Sequence, residues 1–152
     1  MNELKERLRA DLNSAMRARD QVRLRTLRMA LASITNEEVA GATARELSDD
    51  EIVKVLTREA KKRREAAEAF DAAGRAEQAA AERAEGVVLA GYLPRQLTDE
   101  EVSQLVTAAI AETGAAGMPA MGQVMKLVTP QVAGRAEGSR VAAEVRRQLA
   151  AR

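Results

Sequence analysis

The sequence predicts an all-α protein: an N-terminal four-helix unit followed by a small three-helix C-terminal domain. Three observations support this. Apolar residues recur at spacings of three and four, helix-capping residues precede several of these runs, and no segment has the alternating, β-branched pattern of a strand. The boundary is placed at Tyr92-Leu93-Pro94, giving units of residues 1–93 and 94–152. Proline disfavours helical geometry in the residue before it and has no backbone N–H to donate.

Leu4, Leu8, Leu12, Ala15 and Met16 form one stripe, so a first helix is expected near residues 2–18. Asp20 is placed to cap a second, carrying Leu24, Leu27, Leu31 and Ile34 and ending near Val39 and Gly41. The two should form a hairpin. Ser48 and Glu51 have capping-box spacing and open a third helix through Ile52, Leu56, Ala60, Ala67 and Phe70, with Gly74 as its stop. An Ala-rich fourth helix is expected from about Arg75 to Ala90, with Ala76, Ala80, Ala84 and Val87 on its apolar face and Gly86 inside it.

Thr98 and Glu101 repeat the capping-box spacing and start a helix with Val102, Leu105, Val106, Ala109 and Ile110, stopping at Gly114. Pro119 suits the first turn of the next helix, which carries Met121, Val124, Met125 and Val128 and is expected to end at Pro130. The final helix is expected after Gly138, with Ser139 as cap and Val141, Val145 and Leu149 as its stripe. Arg146, Arg147 and Arg152 lie toward its C-terminal end, where the helix dipole favours positive charge.

Composition narrows the chemistry. The chain has 152 residues, one Phe and one Tyr, so its packing must rest on aliphatic residues and close Ala contacts. Its 24 Lys and Arg against 23 Asp and Glu leave a net charge of 24 − 23 = +1, so any basic site is local. Without Cys there is no thiolate nucleophile, disulfide or thiolate metal site, and without His the commonest general base and metal ligand are missing. No catalytic residues, cofactor or metal are therefore expected by the usual routes, while a Ser–Lys amidase or a carboxylate site stays open. No apolar run is long enough to span a membrane and Met1-Asn2-Glu3-Leu4-Lys5 is not an apolar signal region, so cytoplasmic residence without a membrane partner is the expectation.

Three basic constellations stand out. Lys61-Lys62-Arg63-Arg64, with Arg58 a turn earlier, spreads round its helix because consecutive residues step about 100°, and so reads mainly as a solvated face pairing with Glu59, Glu65 and Glu68. Arg17, Arg19, Arg23, Arg25 and Arg28 span the first hairpin; with no interleaved aromatic residues, any nucleic-acid contact there would be to phosphates. From residue 126 onward, Lys126, Arg135, Arg140, Arg146, Arg147 and Arg152 face only Glu137 and Glu144, a local 6 − 2 = +4. Here charge coincides with the flexible Gly134 and Gly138 and a helix start, features that suit phosphate, although an ordinary connecting turn has the same composition.

Gly122-Gln123-Val124-Met125-Lys126 and Gly134-Arg135-Ala136-Glu137-Gly138 resemble the tail domain of the GatB subunit of tRNA-dependent amidotransferases. Arg28-Met29, Asn36-Glu37-Glu38, Lys61 with Arg63, Gly74-Arg75 and Tyr92-Leu93-Pro94 extend the resemblance to the free-standing proteins of the GatB/YqeY family over essentially the whole length. The homologous tail contacts tRNA, and a tail of this kind is also appended to a glutaminyl-tRNA synthetase. The resemblance thus implies tRNA as partner, with Lys126 and Arg135 as contacts, and aligns Lys61 and Arg63 with recurrent basic residues. Ala66 stands where the family usually carries Ser, so no role resting on that hydroxyl carries over.

The expected function is a non-catalytic RNA-binding accessory module for tRNA. The expected contacts are Lys126, Arg135, Arg140, Arg146, Arg147, Lys61 and Arg63, and no DNA partner is expected. The alternatives are association with an amidotransferase component or an aminoacyl-tRNA synthetase, with carbon–nitrogen ligase chemistry using glutamine as amido-N-donor supplied by the complex, and a protein-interaction adaptor without RNA.

Overall fold

The computed structural model of the chain describes residues 3–114 and 116–151, and every regular element among them is helical. Asn2, expected in the first helix, and Arg152 in the last lie outside the described residues. The chain divides into two compact units, Met1–Leu93 and Pro94–Arg152.

The first unit holds α1 (Glu3–Ala18), α2 (Gln21–Glu38), α3 (Asp49–Ala72) and α4 (Ala76–Ala90). Asp20 caps α2, its carboxylate accepting from the Arg23 N–H at 3.1 Å. The Ser48 hydroxyl caps α3, accepting from the Glu51 N–H at 3.3 Å. Gly74 follows α3 at φ +75°, a conformation that costs other residues a Cβ clash. Leu8, Leu27, Ile34, Ile52, Leu56 and Leu89 are fully buried in one cluster, each contributing about 1.5–3 kcal/mol by leaving water. Met16, expected on the buried stripe, is 43% exposed near the end of α1.

Two polar clasps tighten this core. Lys5 and Glu38 form a buried ion pair at 2.8 Å, and Glu38 also accepts from the Leu47 N–H at 3.2 Å, closing the loop between α2 and α3. The Lys5 ammonium beside Glu38 holds its carboxyl below the usual carboxylate range. Tyr92, just past α4, donates its hydroxyl to Asp11 and accepts from Arg23 at 3.2 Å, while Arg7 lies 4.6 Å from its ring centre. Burial, then the bond to Asp11, pushes the phenol up to about 12.

The buried face of α4 differs from the expected one. Ala79 and Leu89 are buried and Glu82, Glu85 and Gly86 half-buried, whereas Ala76 and Ala80 are exposed and Val87 is 72% exposed. An Ala-rich helix has small apolar residues on every side, so its sequence carries little directional preference. In the fold Leu89 and Ala79 enter the core and Glu82 and Glu85 meet cations on the same helix.

The second unit holds α5 (Asp99–Thr113), a single 3-10 turn (Met118–Ala120) containing Pro119, α6 (Met121–Val132) and α7 (Gly138–Ala150). A complete capping box joins Thr98 and Glu101, and Gly114 ends α5 at φ +64°. Val102, Val106, Ile110, Val124, Val128, Val145 and Leu149 build the core. The buried Gln148 is satisfied by the Ser103 carbonyl at 3.0 Å and the Thr107 hydroxyl at 2.9 Å.

Three expected boundaries shift. Pro119 falls in the 3-10 turn ahead of α6, not in its first turn. Pro130 lies inside α6, which continues to Val132; proline there forfeits its own N–H bond and crowds the carbonyl one turn back, and burial of Val132 favours keeping the last turn. Glu137, not Ser139, occupies the N-cap position of α7, and Ser139 sits in its first turn. Val141 enters the core with its N–H on the Glu137 carbonyl at 3.1 Å, which starts the helix before Ser139. Among the described residues no helix is long and apolar enough to cross a membrane, and no cluster of His, Cys, Asp and Glu is suited to a metal ion.

Candidate nucleic-acid interface

The basic residues of the second unit divide into those held by the fold and those left to solvent. Lys126 lies two residues from each of the buried Val124 and Val128, about 200° round α6, and is therefore exposed. It has no intramolecular partner among the described residues, and neither does the exposed Arg146 on α7. Arg147 is different. Its guanidinium grips Glu144 one turn earlier, with Nε 3.0 Å from each carboxylate oxygen, and holds that carboxyl below its usual range.

Arg135 and Arg140 serve the fold as well as the surface. Arg135 follows Gly134, which adopts φ +74°, and donates to the Gln131 carbonyl at the open end of α6. Its own carbonyl accepts from the Leu97 N–H at 2.7 Å. Arg140 donates to the Leu97 carbonyl at 2.8 Å and pairs with Asp99 at 3.0 Å, fastening the first turn of α7 to the segment before α5. A groove of about 280 Å³ between α5 and α7 is edged by Asp99, Arg140, Glu144 and Arg147, and its charges cancel. The first turn of α7 has no acidic residue and no side-chain cap bond, whereas α3 and α5 have both, but its N-cap residue is itself the carboxylate Glu137, which places negative charge at this end.

In the first unit, Lys61 is exposed and reaches only Glu65, at 3.9 Å. Arg63 is half-buried among three carboxylates, Glu59 at 3.4 Å, Glu85 at 3.3 Å and Glu82 at 3.5 Å. Arg25 joins from α2 through Glu85 at 2.7 Å, and Ser33 donates to Glu59 at 3.1 Å, so α2, α3 and α4 meet at one ionic network. Lys62 and Arg58, read from sequence as a solvated face, flank an open groove of about 420 Å³ between α2 and α3 and pair with Glu59 and Glu37. Sequence reasoning missed the Arg63 network. Glu82 and Glu85 are one turn apart on the Ala-rich helix, which hints that this side meets cations.

The seven expected contacts thus differ in how far their charges are available. Lys126 and Arg146 are available in full, Arg135 and Lys61 in part, and Arg63, Arg140 and Arg147 already hold anionic partners. Free ammonium and guanidinium groups without a neighbouring general base suit binding of oxyanions rather than proton transfer.

A family model described as Yqey-like protein matches residues 5–149 of the chain. No curated protein matches it.

Proposed function

The chain belongs to the Yqey-like family, and on that premise we propose that it is a non-catalytic RNA-binding accessory module whose ligand is tRNA. The observation that carries the reading is that Lys126 and Arg146 stand exposed and, among the described residues, without an intramolecular anion, in a segment of local charge +4. In this reading the tail contacts tRNA phosphates through Lys126, Arg146 and the part of Arg135 not held by Gln131. Residues 94–152 act as a domain that folds by itself, so limited proteolysis should cut near residues 91–97. The resemblance to the amidotransferase tail extends the proposal to a cytoplasmic protein that works beside an amidotransferase component or an aminoacyl-tRNA synthetase, which would supply the chemistry.

The test is tRNA binding by the full chain across a salt series. Lys126→Ala and Arg146→Ala should each weaken binding similarly for different tRNA species and lower the slope of log affinity against log salt by about 0.7–0.9. Arg147→Ala should change it less, because that charge is already compensated by Glu144. Absence of salt-dependent binding by the wild type, or an unchanged slope in both variants, would overturn the reading.

A further inference from the structure

The residues from Arg7 to Arg28 carry seven arginines against Asp11 and Asp20, a local 7 − 2 = +5 that exceeds the charge of the tail. Both aspartates hold structural bonds, Asp11 half-buried and Asp20 exposed beside Arg19. Asp20 caps α2, and Asp11 accepts from Tyr92 and faces Arg23 at 3.7 Å. Among the described residues, Arg19 and Arg28 are exposed and have no side-chain partner, and Arg17 meets only the neutral Ser14.

Placement on α2 concentrates this charge. At 100° per residue, Gln21, Arg25, Arg28 and Ala32 fall on one exposed face, and no acidic residue interrupts it. Arg25 alone is compensated, by Glu85. Asn36, exposed and unpartnered, lies near the far end of that face, about 25 Å from Arg19 at 1.5 Å per residue. The groove that adjoins it there is lined by Lys62 and Arg58 together with Glu59 and Glu37, which pair with them. The polar groups along this face are mainly donors, the small Ala32 leaves the backbone open to close approach, and there is no exposed aromatic ring on which a base could stack.

Arg19 adds an independent observation. It turns the α1–α2 hairpin at φ +56°, the only non-glycine residue with positive φ among the described residues. Glycine adopts this conformation without a Cβ penalty, whereas arginine is strained there. The backbone conformation closes the end of α1, with the Asp20 N–H on the Ala15 carbonyl at 3.0 Å and the Arg19 N–H on the Met16 carbonyl at 3.3 Å. Arginine at this position also leaves a cation at the tip of the hairpin, its side chain without a partner among the described residues.

We propose that the hairpin tip at Arg19 and the outer face of α2 through Arg28 form a second contact surface for the phosphodiester backbone of RNA. This rests on the RNA-binding reading above and adds an interface in the first unit to the one in the tail. Contact to phosphates alone makes the surface indifferent to sequence and sensitive to salt.

The experiment measures tRNA affinity of the full chain against salt, with thermal melting of each variant. Arg19→Gly should raise the melting temperature by about 2 °C through relief of strain and yet lower the salt slope by about 0.7–0.9. A purely structural residue would not shift stability and binding in these opposite directions. Arg28→Ala should lower the slope by a similar amount with unchanged melting, and Arg28→Lys should retain binding, since a phosphate contact needs the charge. If the wild type binds tRNA and both Arg19→Gly and Arg28→Ala keep its slope, this second surface is refuted while the tail reading stands. If those variants lose binding to vesicles of anionic lipid but keep the tRNA slope, the surface belongs to membranes and the proposal is likewise overturned. A wild type without any tRNA binding removes both readings.

Discussion

Replacing Arg63 by Met tests whether this residue, aligned by resemblance with a recurrent basic position, is a ligand contact or a strut of the fold. The substitution keeps an apolar stem of similar length and removes the guanidinium from among Glu59, Glu82 and Glu85, whose side chains are 8%, 24% and 12% exposed. Stripping one partner from a buried ion pair costs about 3–5 kcal/mol, chiefly because the remaining charge loses both water and its counterion. Two features move the expectation to the low end. Glu59 keeps Ser33 and Lys62, and Glu85 keeps Arg25 at 2.7 Å. Glu82 is the group left exposed to the full penalty. A loss of about 3 kcal/mol is a large part of the 5–15 kcal/mol that stabilises an ordinary domain. Urea unfolding should show it as a fall in midpoint of about 1.5 M, taking a denaturant slope of about 2 kcal/mol per molar. Adding Glu82→Gln should recover part of the loss, whereas Lys61→Met, which breaks only an exposed pair at 3.9 Å, should cost under about 0.5 kcal/mol. An Arg63→Met protein that unfolds at the wild-type midpoint but binds tRNA more weakly would refute the argument and make Arg63 a contact.

Three further outcomes follow from the polar clasps and from α4. The native Glu38 carboxyl is held below its ordinary value of 4.5, so its stabilising effect is complete above that pH and is lost as pH falls through the lower native value; in Lys5→Met the buried carboxylate is unpaired, and acid-titrated urea melts should show this variant's deficit shrinking on acidification. Tyr92 is the only tyrosine, so phenolate absorbance should titrate near 12 in the folded chain and near 10 when unfolded, with stability lost as pH rises through this interval, and a folded-state midpoint near 10 would place the ring in water. Gly86→Ala should stabilise the protein by about 0.5–1 kcal/mol in thermal or urea melts, because the added Cβ meets only the Arg63 Cβ at an ordinary 4.0 Å, and a destabilised variant would mean α3 and α4 pack more closely than described.

The helices and most of their ends were legible in the sequence because their causes are local. Asp20, Ser48 and Thr98 each meet an N–H three residues on, and Gly114 takes a conformation its own lack of a Cβ permits. The stripes of α2, α5 and α7 were equally readable, since each carries its large aliphatic residues on one side. For the candidate interface, Lys126 was legible by the same logic, two residues from valines that had to be buried. The capture of Arg147 by Glu144 follows from i,i+3 spacing alone. What only the tertiary structure decided involves groups far apart in the chain. The face of α4 was hard to read because alanine marks every side of it alike, and the fold buries Ala79 and Leu89 while Glu82 and Glu85 meet Arg63. Lys5 occupies a polar slot on an amphipathic stripe, yet it is buried because Glu38, 33 residues away, offers a counterion where water is excluded. Pro130 marks a helix end only when nothing pulls the chain onward, and the burial of Val132 does so. Arg140 looks like a free tail cation until the fold brings the Leu97 carbonyl and Asp99 beside it. A residue's spacing fixes its direction from the helix axis, but whether a charge stays available depends on what packing brings within reach.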